Sequence, residues 1–354
     1  MINLSRKECS AMRGVAILGI ILHNFSHWLG MAVKENEYTF TQSNVDGLVN
    51  AIANPTINLP IHILSFFGHY GVPVFLFLSA YGLTIKYEKG GAEERILPFI
   101  KNHFVKLFTM MIVGYVAFLM VDRIDGPHTY HLMDVVSQLG LFNNVLPHPN
   151  NIIWPGPYWF FGLMMQLYIV YRLFLYKRHW SVTVVFVFFT FLLQVFCEPT
   201  GDPLNRLRYN FIGGMLPFGL GLIYGRISHH SLSDILPMKS ISTFSLHLIG
   251  WIVFIFTILL IYGWSLGFQS WFWVPAVICV SSVLFVKLTP DKINTLLAWF
   301  GSISSAMFIC HPITRKIFIP ISREGDIYTG LLLYVVATIV LSIGFQRILS
   351  YKKN

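Results

Sequence analysis

Ten apolar runs, each about long enough to cross a bilayer, leave this chain very little choice of fold. They cover residues 13–30, 62–86, 100–121, 158–176, 180–197, 208–226, 243–263, 270–288, 296–319 and 329–349. A hydrocarbon layer ~30 Å thick takes ~20 apolar residues as a helix, and in lipid a lone segment must satisfy its own backbone, which selects helices. Composition agrees: 12% of residues are charged against ~25% in soluble domains, and mean hydropathy is +0.62. The expected fold is all-α, a polytopic integral membrane protein with about ten transmembrane helices in one domain spanning 1–354.

Charge sets the expected orientation. With the N-terminus inside, the inner side collects 18 of the 25 Lys and Arg but 6 of the 16 Asp and Glu. That asymmetry matches the positive-inside rule and puts both termini in the cytoplasm. It also accounts for the net charge of +9 without nucleic acid, since no basic run carries interleaved aromatics. Two long loops then face out, 31–61 and 122–157. The second holds His128, His131 and His148, and scattered loop histidines of this kind are more often incidental than metal ligands. Cys9, Cys197, Cys279 and Cys310 show no metal or disulfide spacing, so no metal is expected.

One run differs from the rest: Met12-Arg-Gly-Val-Ala-Ile-Leu-Gly-Ile-Ile-Leu-His-Asn-Phe-Ser-His-Trp28. At ~1.5 Å per residue His23 lies roughly 15 Å from Arg13, near mid-membrane if Arg13 marks an interface. At ~100° per residue Arg13, Ile20, His23 and His27 share one face within about 80°. The polar residues inside the run argue against a cleaved signal peptide, despite the small-x-small pattern at Gly30-Met-Ala32. An imidazole at that depth normally faces a wet or protein-lined cavity. The alternative is a histidine that only hydrogen-bonds a neighbouring helix.

No Asp or Glu falls inside any of the ten runs, which leaves His23, His27, His69, His247 and His311 as titratable groups at depth. A histidine works as a general base at neutral pH without a large shift, and a substrate alcohol would be the nucleophile. Four further stretches stand out. Gly71-Val-Pro-Val-Phe-Leu-Phe-Leu-Ser-Ala-Tyr-Gly82 carries a kink candidate, Pro73, and a substrate-lining candidate, Ser79. Lys101-Asn-His-Phe-Val-Lys106 is a basic patch suited to phosphates or to topology alone. Trp154-Pro-Gly-Pro-Tyr-Trp-Phe160 offers Tyr158 and Trp159 for stacking on a sugar, or as interfacial anchors. Gly301-Ser-Ile-Ser-Ser-Ala-Met-Phe-Ile-Cys-His-Pro312 sets His311 against a helix-disturbing proline, where it could serve the backbone.

Taken in order, these stretches resemble membrane acyltransferase family 3, which includes the O-acetyltransferases of bacterial polysaccharides. The resemblance implies an acyl-CoA donor, acetyl-CoA above all, arriving from the cytoplasm. It implies a carbohydrate or glycolipid acceptor and residence in a bacterial inner membrane. It assigns the essential basic residue to Arg13 and the catalytic histidine to His23. The sequence departs from the family pattern in three places: nine residues rather than ten separate Arg13 from His23, His103 and Lys106 stand where a pair of arginines is usual, and Ala80 follows Ser79. The expected donor site is Arg13, Lys101, His103 and Lys106. The expected acceptor lining is Asn24, His27, Ser79, Tyr158 and Trp159. The rival reading is a glycan or lipid transporter without chemistry, which calls for charged residues along a continuous path.

Overall fold

The computed structural model describes residues 3–125, 129–227 and 243–351; His128, Lys239, Lys352 and Lys353, used in the loop and charge readings, lie outside them. The fold is all-helical, 81% helix with no strand among the described residues. The principal helices are α1 (Arg6–Ser26), α2 (Gln42–Ala53), α3 (Leu59–Phe67), α4 (Gly71–Leu83), α5 (Ile96–Asp125), α6 (Leu132–Leu139) and α7 (Trp159–Val170). They continue with α8 (Trp180–Val195), α9 (Asp202–Tyr209), α10 (Phe211–Ile227), α11 (Thr243–Trp264), α12 (Val274–Leu288), α13 (Asp291–Arg323) and α14 (Ile327–Tyr351).

Among the described residues seven helical segments are long and apolar enough to cross a membrane: Arg6–Ser26, Leu59–Lys89, Ile96–Ile124, Gly156–Leu175, Ser245–Trp264, Asp291–Arg323 and Ile327–Arg347. The other three runs form shorter apolar helices, α8, α10 and α12, of 16, 17 and 15 residues. Burial sorts the long segments into two groups. In Leu59–Lys89 the apolar window is 67% buried, whereas in Ser245–Trp264 it is 11% and in Ile327–Arg347 22%. The last two present Leu and Val outward, as a lipid-facing helix must.

Helix α1 sits in the core. Ser5 caps it through a reciprocal pair: its Oγ accepts from the Glu8 N–H at 3.1 Å, and Glu8 Oε2 accepts from the Ser5 N–H at 2.7 Å. Glu8 also pairs with Lys287 at 2.9 Å, which ties this end to α12. Along its length α1 packs closely on α13 and on α3–α4. The approach depends on missing side chains. A Cβ on Gly14 would overlap the Leu297 carbonyl, and one on Gly301 the Ser10 carbonyl. A Cβ on Gly68 would meet His23 Cβ at 2.7 Å, so this glycine lets α3 come up against the histidine.

The span containing α3 and α4 is interrupted by a 3₁₀ turn at Gly68–Tyr70, with Pro73 in the first turn of α4 directly after it. The break therefore lies just ahead of the proline, in a position that sets two groups beside α1: the His69 ring and the last carbonyls of α3.

Candidate active site

His23 projects from α1 into the crevice left by that break. Its Nδ1 lies 2.8 Å from the Ser65 carbonyl in the last turn of α3, where helix carbonyls run out of backbone donors. The bond is buried, and with Nδ1–H donating to an oxygen the lone pair resides on Nε2. This is the tautomer a general base needs. The His27 ring lies 5.0 Å from that of His23 and the His69 ring 5.3 Å away, so three imidazoles from two spans share one wall.

Two cavities meet along the α1 stripe. The one at the Arg13 end, about 340 Å³, is lined by Arg13, Ser79, Lys106, Tyr168 and the α13 serines Ser302, Ser304 and Ser305. The one at the His27 end, about 140 Å³, is lined by His23, Asn24, His27, His69, Trp159 and Arg315, with Glu37 and Tyr38 across from them. Ile20, Val72, Phe160 and Phe308 line both. These four apolar side chains form a septum, and His23 stands one helical turn beyond Ile20 on its far side.

The loop after α1 folds back over the smaller cavity. Asn36 Oδ1 accepts from the Tyr38 and Thr39 N–H groups at 2.8 and 3.1 Å, an Asx turn that reverses the chain. Arg208 Nε donates to the Glu37 carbonyl, and its guanidinium lies 4.5 Å over the Trp271 ring. Tyr38 stacks on Tyr209 with ring centroids 3.8 Å apart. The fold thereby delivers a carboxyl group to the cavity although the spans hold none there. Burial pushes the Glu37 and Glu35 carboxyls up to about 8, against the partial relief that Arg208 gives both. Both Glu35 oxygens are buried without a close hydrogen-bond partner among the described residues, although the Asn36 N–H offsets part of the burial.

The residues singled out from sequence divide by position. Arg13, Ser79 and Lys106 come together in the larger cavity, and His23, Asn24, His27 and Trp159 in the smaller. Lys101 is exposed and lines neither. His103 also lines neither: its Nδ1 is 2.8 Å from the Phe99 carbonyl and its ring packs 4.5 Å from Tyr168. Tyr158 turns away from both cavities. It is fully buried, with Oη donating to the Ile309 carbonyl at 3.1 Å, so it does not stack on anything that enters. His311 is fully buried too, its Nδ1 3.2 Å from the Met307 carbonyl one turn back in α13. His247, at the start of α11, bonds Trp251 on its own helix. Among the described residues no group of three or more His, Cys, Asp or Glu is arranged so that it could hold a metal ion.

Sequence reasoning named His69 only among the titratable groups at depth, and passed over Glu37 and Arg315. Arg315 had a signal: an arginine inside a membrane run, one turn past His311, is costly unless it faces a cavity. Glu37 had none, because nothing local says that a loop residue will fold back beneath the membrane end of a helix.

The helices long and apolar enough to cross a membrane surround two abutting cavities, with a buried histidine beside the side chains the two share, an arrangement of the class of polytopic membrane proteins. The model of the acyltransferase domain, acyltransferase family 3, matches residues 7–347, nearly the whole chain. The protein belongs to this family and is an integral membrane acyltransferase. No curated protein and no solved structure matches it.

Proposed function

We propose that the protein transfers an acetyl group from acetyl-CoA to a hydroxyl of a carbohydrate or glycolipid, with His23 as general base. The observation that carries this reading is the His23 Nδ1 bond to the Ser65 carbonyl, which leaves the Nε2 lone pair free on a residue lining the smaller cavity. The larger cavity supplies Arg13 and Lys106 for the CoA phosphates, which both side chains meet as cations. The thioester reaches the septum from that side and the acceptor from the other. His23 Nε2 takes the hydroxyl proton as the oxygen attacks the thioester carbon. The carbon–sulfur bond then breaks and the leaving thiolate takes the proton from the imidazolium. Atoms balance without any other reactant.

In this reading the Arg13 end faces the cytoplasm, all ten apolar helices cross a bacterial inner membrane, and both termini are inside. The charge distribution of the sequence supports that orientation. The test uses purified protein in detergent with acetyl-CoA, and thiol release is measured with and without saccharide acceptors. Acceptor-stimulated release is expected. A transporter without chemistry would release none under any condition, and that result would end the enzymatic proposal.

A further inference from the structure

Arg315 lies on α13 at the wall of the smaller cavity and is only 3% exposed. Its guanidinium lies 4.5 Å over the Trp28 ring, and one Nη donates to Asn24 Oδ1 at 3.3 Å. Both neighbours are neutral. Among the described residues no carboxylate comes within 4.0 Å of it. The next residue shows the contrast: Lys316 forms an ion pair with the buried Asp122, on the other side of the helix register. Arg208, the other deeply buried arginine at this end, holds the Glu37 carbonyl and Gln194. Glu37 lines the same cavity as Arg315 but forms no ion pair with it, and burial pushes that carboxyl up to about 8.

A buried guanidinium with five donors is costly to leave without a negative partner. Stacking on Trp28 and one bond to Asn24 hold its plane, yet they leave most of its donors unused by any carboxylate. The fork geometry matches a carboxylate or a phosphate presented from the cavity. Lys34 adds a second cation near the same mouth, its Nζ donating to the carbonyls of His27 and Leu29.

We infer that Arg315, held by Trp28 and Asn24, is an anion subsite that binds a carboxylate or phosphate carried by the acceptor. The word acceptor rests on the acyl-transfer reading above; the anion site itself does not. The subsite makes the acceptor an acidic sugar or a sugar phosphate rather than a neutral glycan, and it anchors the acidic group on the same wall as His23. A cavity of about 140 Å³ is small against the ~300–1,000 Å³ of drug-sized sites, so it takes the reacting end of a glycan.

The experiment follows thermal unfolding of the purified full chain in detergent with glucuronate, glucose 6-phosphate or glucose, at matched ionic strength. Glucuronate or glucose 6-phosphate should raise Tm, and glucose should not. A response to one alone assigns the group as carboxylate or as phosphate. Arg315→Gln should weaken the responding anion about tenfold or more, the loss expected for a charged hydrogen bond. Arg315→Lys keeps the charge without the fork and should retain part of the response, which covers the case of an unfolded Gln variant. Equal shifts from glucose and glucuronate, no shift from either anion, or an undiminished shift in the variants would each overturn the inference. Acetyl-CoA in the same preparation reports the donor cavity separately. If acetyl-CoA binds and reacts while the anions do nothing, only this inference falls. If the anions bind and acetyl-CoA does not, the acyl-transfer reading falls instead.

Discussion

The two cavities lie on one helix face and are built in opposite ways. At the Arg13 end the wall is made of regular helix: Arg13 on α1, Ser79 on α4, Lys106 on α5 and a run of serines on α13. At the His27 end a loop closes the wall, bringing Glu37 and Tyr38 under the clamp of Arg208. The first is roomy and carries cations and hydroxyls. The second is narrow, aromatic and dense in imidazole. In the proposed reaction the phosphate-bearing donor enters the first and a single reacting sugar the second. Chemistry is expected where they touch, at the septum.

The sharpest way to break this comparison is at His23. His23→Ala should lose at least ~100-fold in the rate of transfer, because a positioned base contributes ~10²–10⁴. The variant should still bind acetyl-CoA, whose proposed site lies across the septum. His27→Ala should cost much less, and near-normal turnover in His23→Ala would move the base elsewhere in the imidazole cluster. The next effect belongs to the larger cavity. Lys106→Gln should raise KM for acetyl-CoA about ten- to a hundredfold, with a smaller change in kcat, since phosphate contacts persist in the transition state. Lys101→Gln, off the cavity, should leave KM alone. Equal effects from both lysines would mean that general surface charge, not the cavity, draws the donor.

The septum should act on the acyl group. Phe160→Ala opens the partition, and turnover of butyryl-CoA relative to acetyl-CoA should rise severalfold, up to about tenfold, within the range of a few methylenes in an apolar slot. An unchanged chain-length profile would place the thioester away from these four side chains. The smallest effect is on stability and comes from the loop. Glu35 has its pKa raised to about 8 from 4.5, so between those values the folded state holds a proton that the unfolded state has released. Stability therefore falls as pH rises from about 4.5 to 8. Glu35→Gln should flatten that slope in thermal unfolding measured across pH, and a slope equal to that of the wild type would show that the carboxyl is solvated after all.

Much of this molecule is local in origin. The long helices fall where apolar runs of ~20 residues require them, and Arg13, Ile20, His23 and His27 face the cavities because a helix repeats every 3.6 residues. Those facts need no knowledge of neighbours, and sequence alone determined them. The choice between Tyr158 and Trp159 did not follow in that way. Adjacent aromatics at one helix start are equivalent in composition, and packing against Ile309 sends one inward while the other reaches the cavity.

Tertiary structure alone decided the rest. The tautomer of His23 depends on a carbonyl 42 residues away, Asn24 meets Arg315 across 291, and Glu37 is held by an arginine 171 residues further on. Each of these contacts joins chain segments whose own patterns carry no mark of the other. Hydrophobic periodicity specifies which face of a helix is apolar, but the partner that face meets is set by close approaches such as Gly14 on Leu297 and Gly68 on His23. Backbone proximity of that kind is a property of the assembled bundle, and it is what fixes the tautomer of a histidine on an apolar helix.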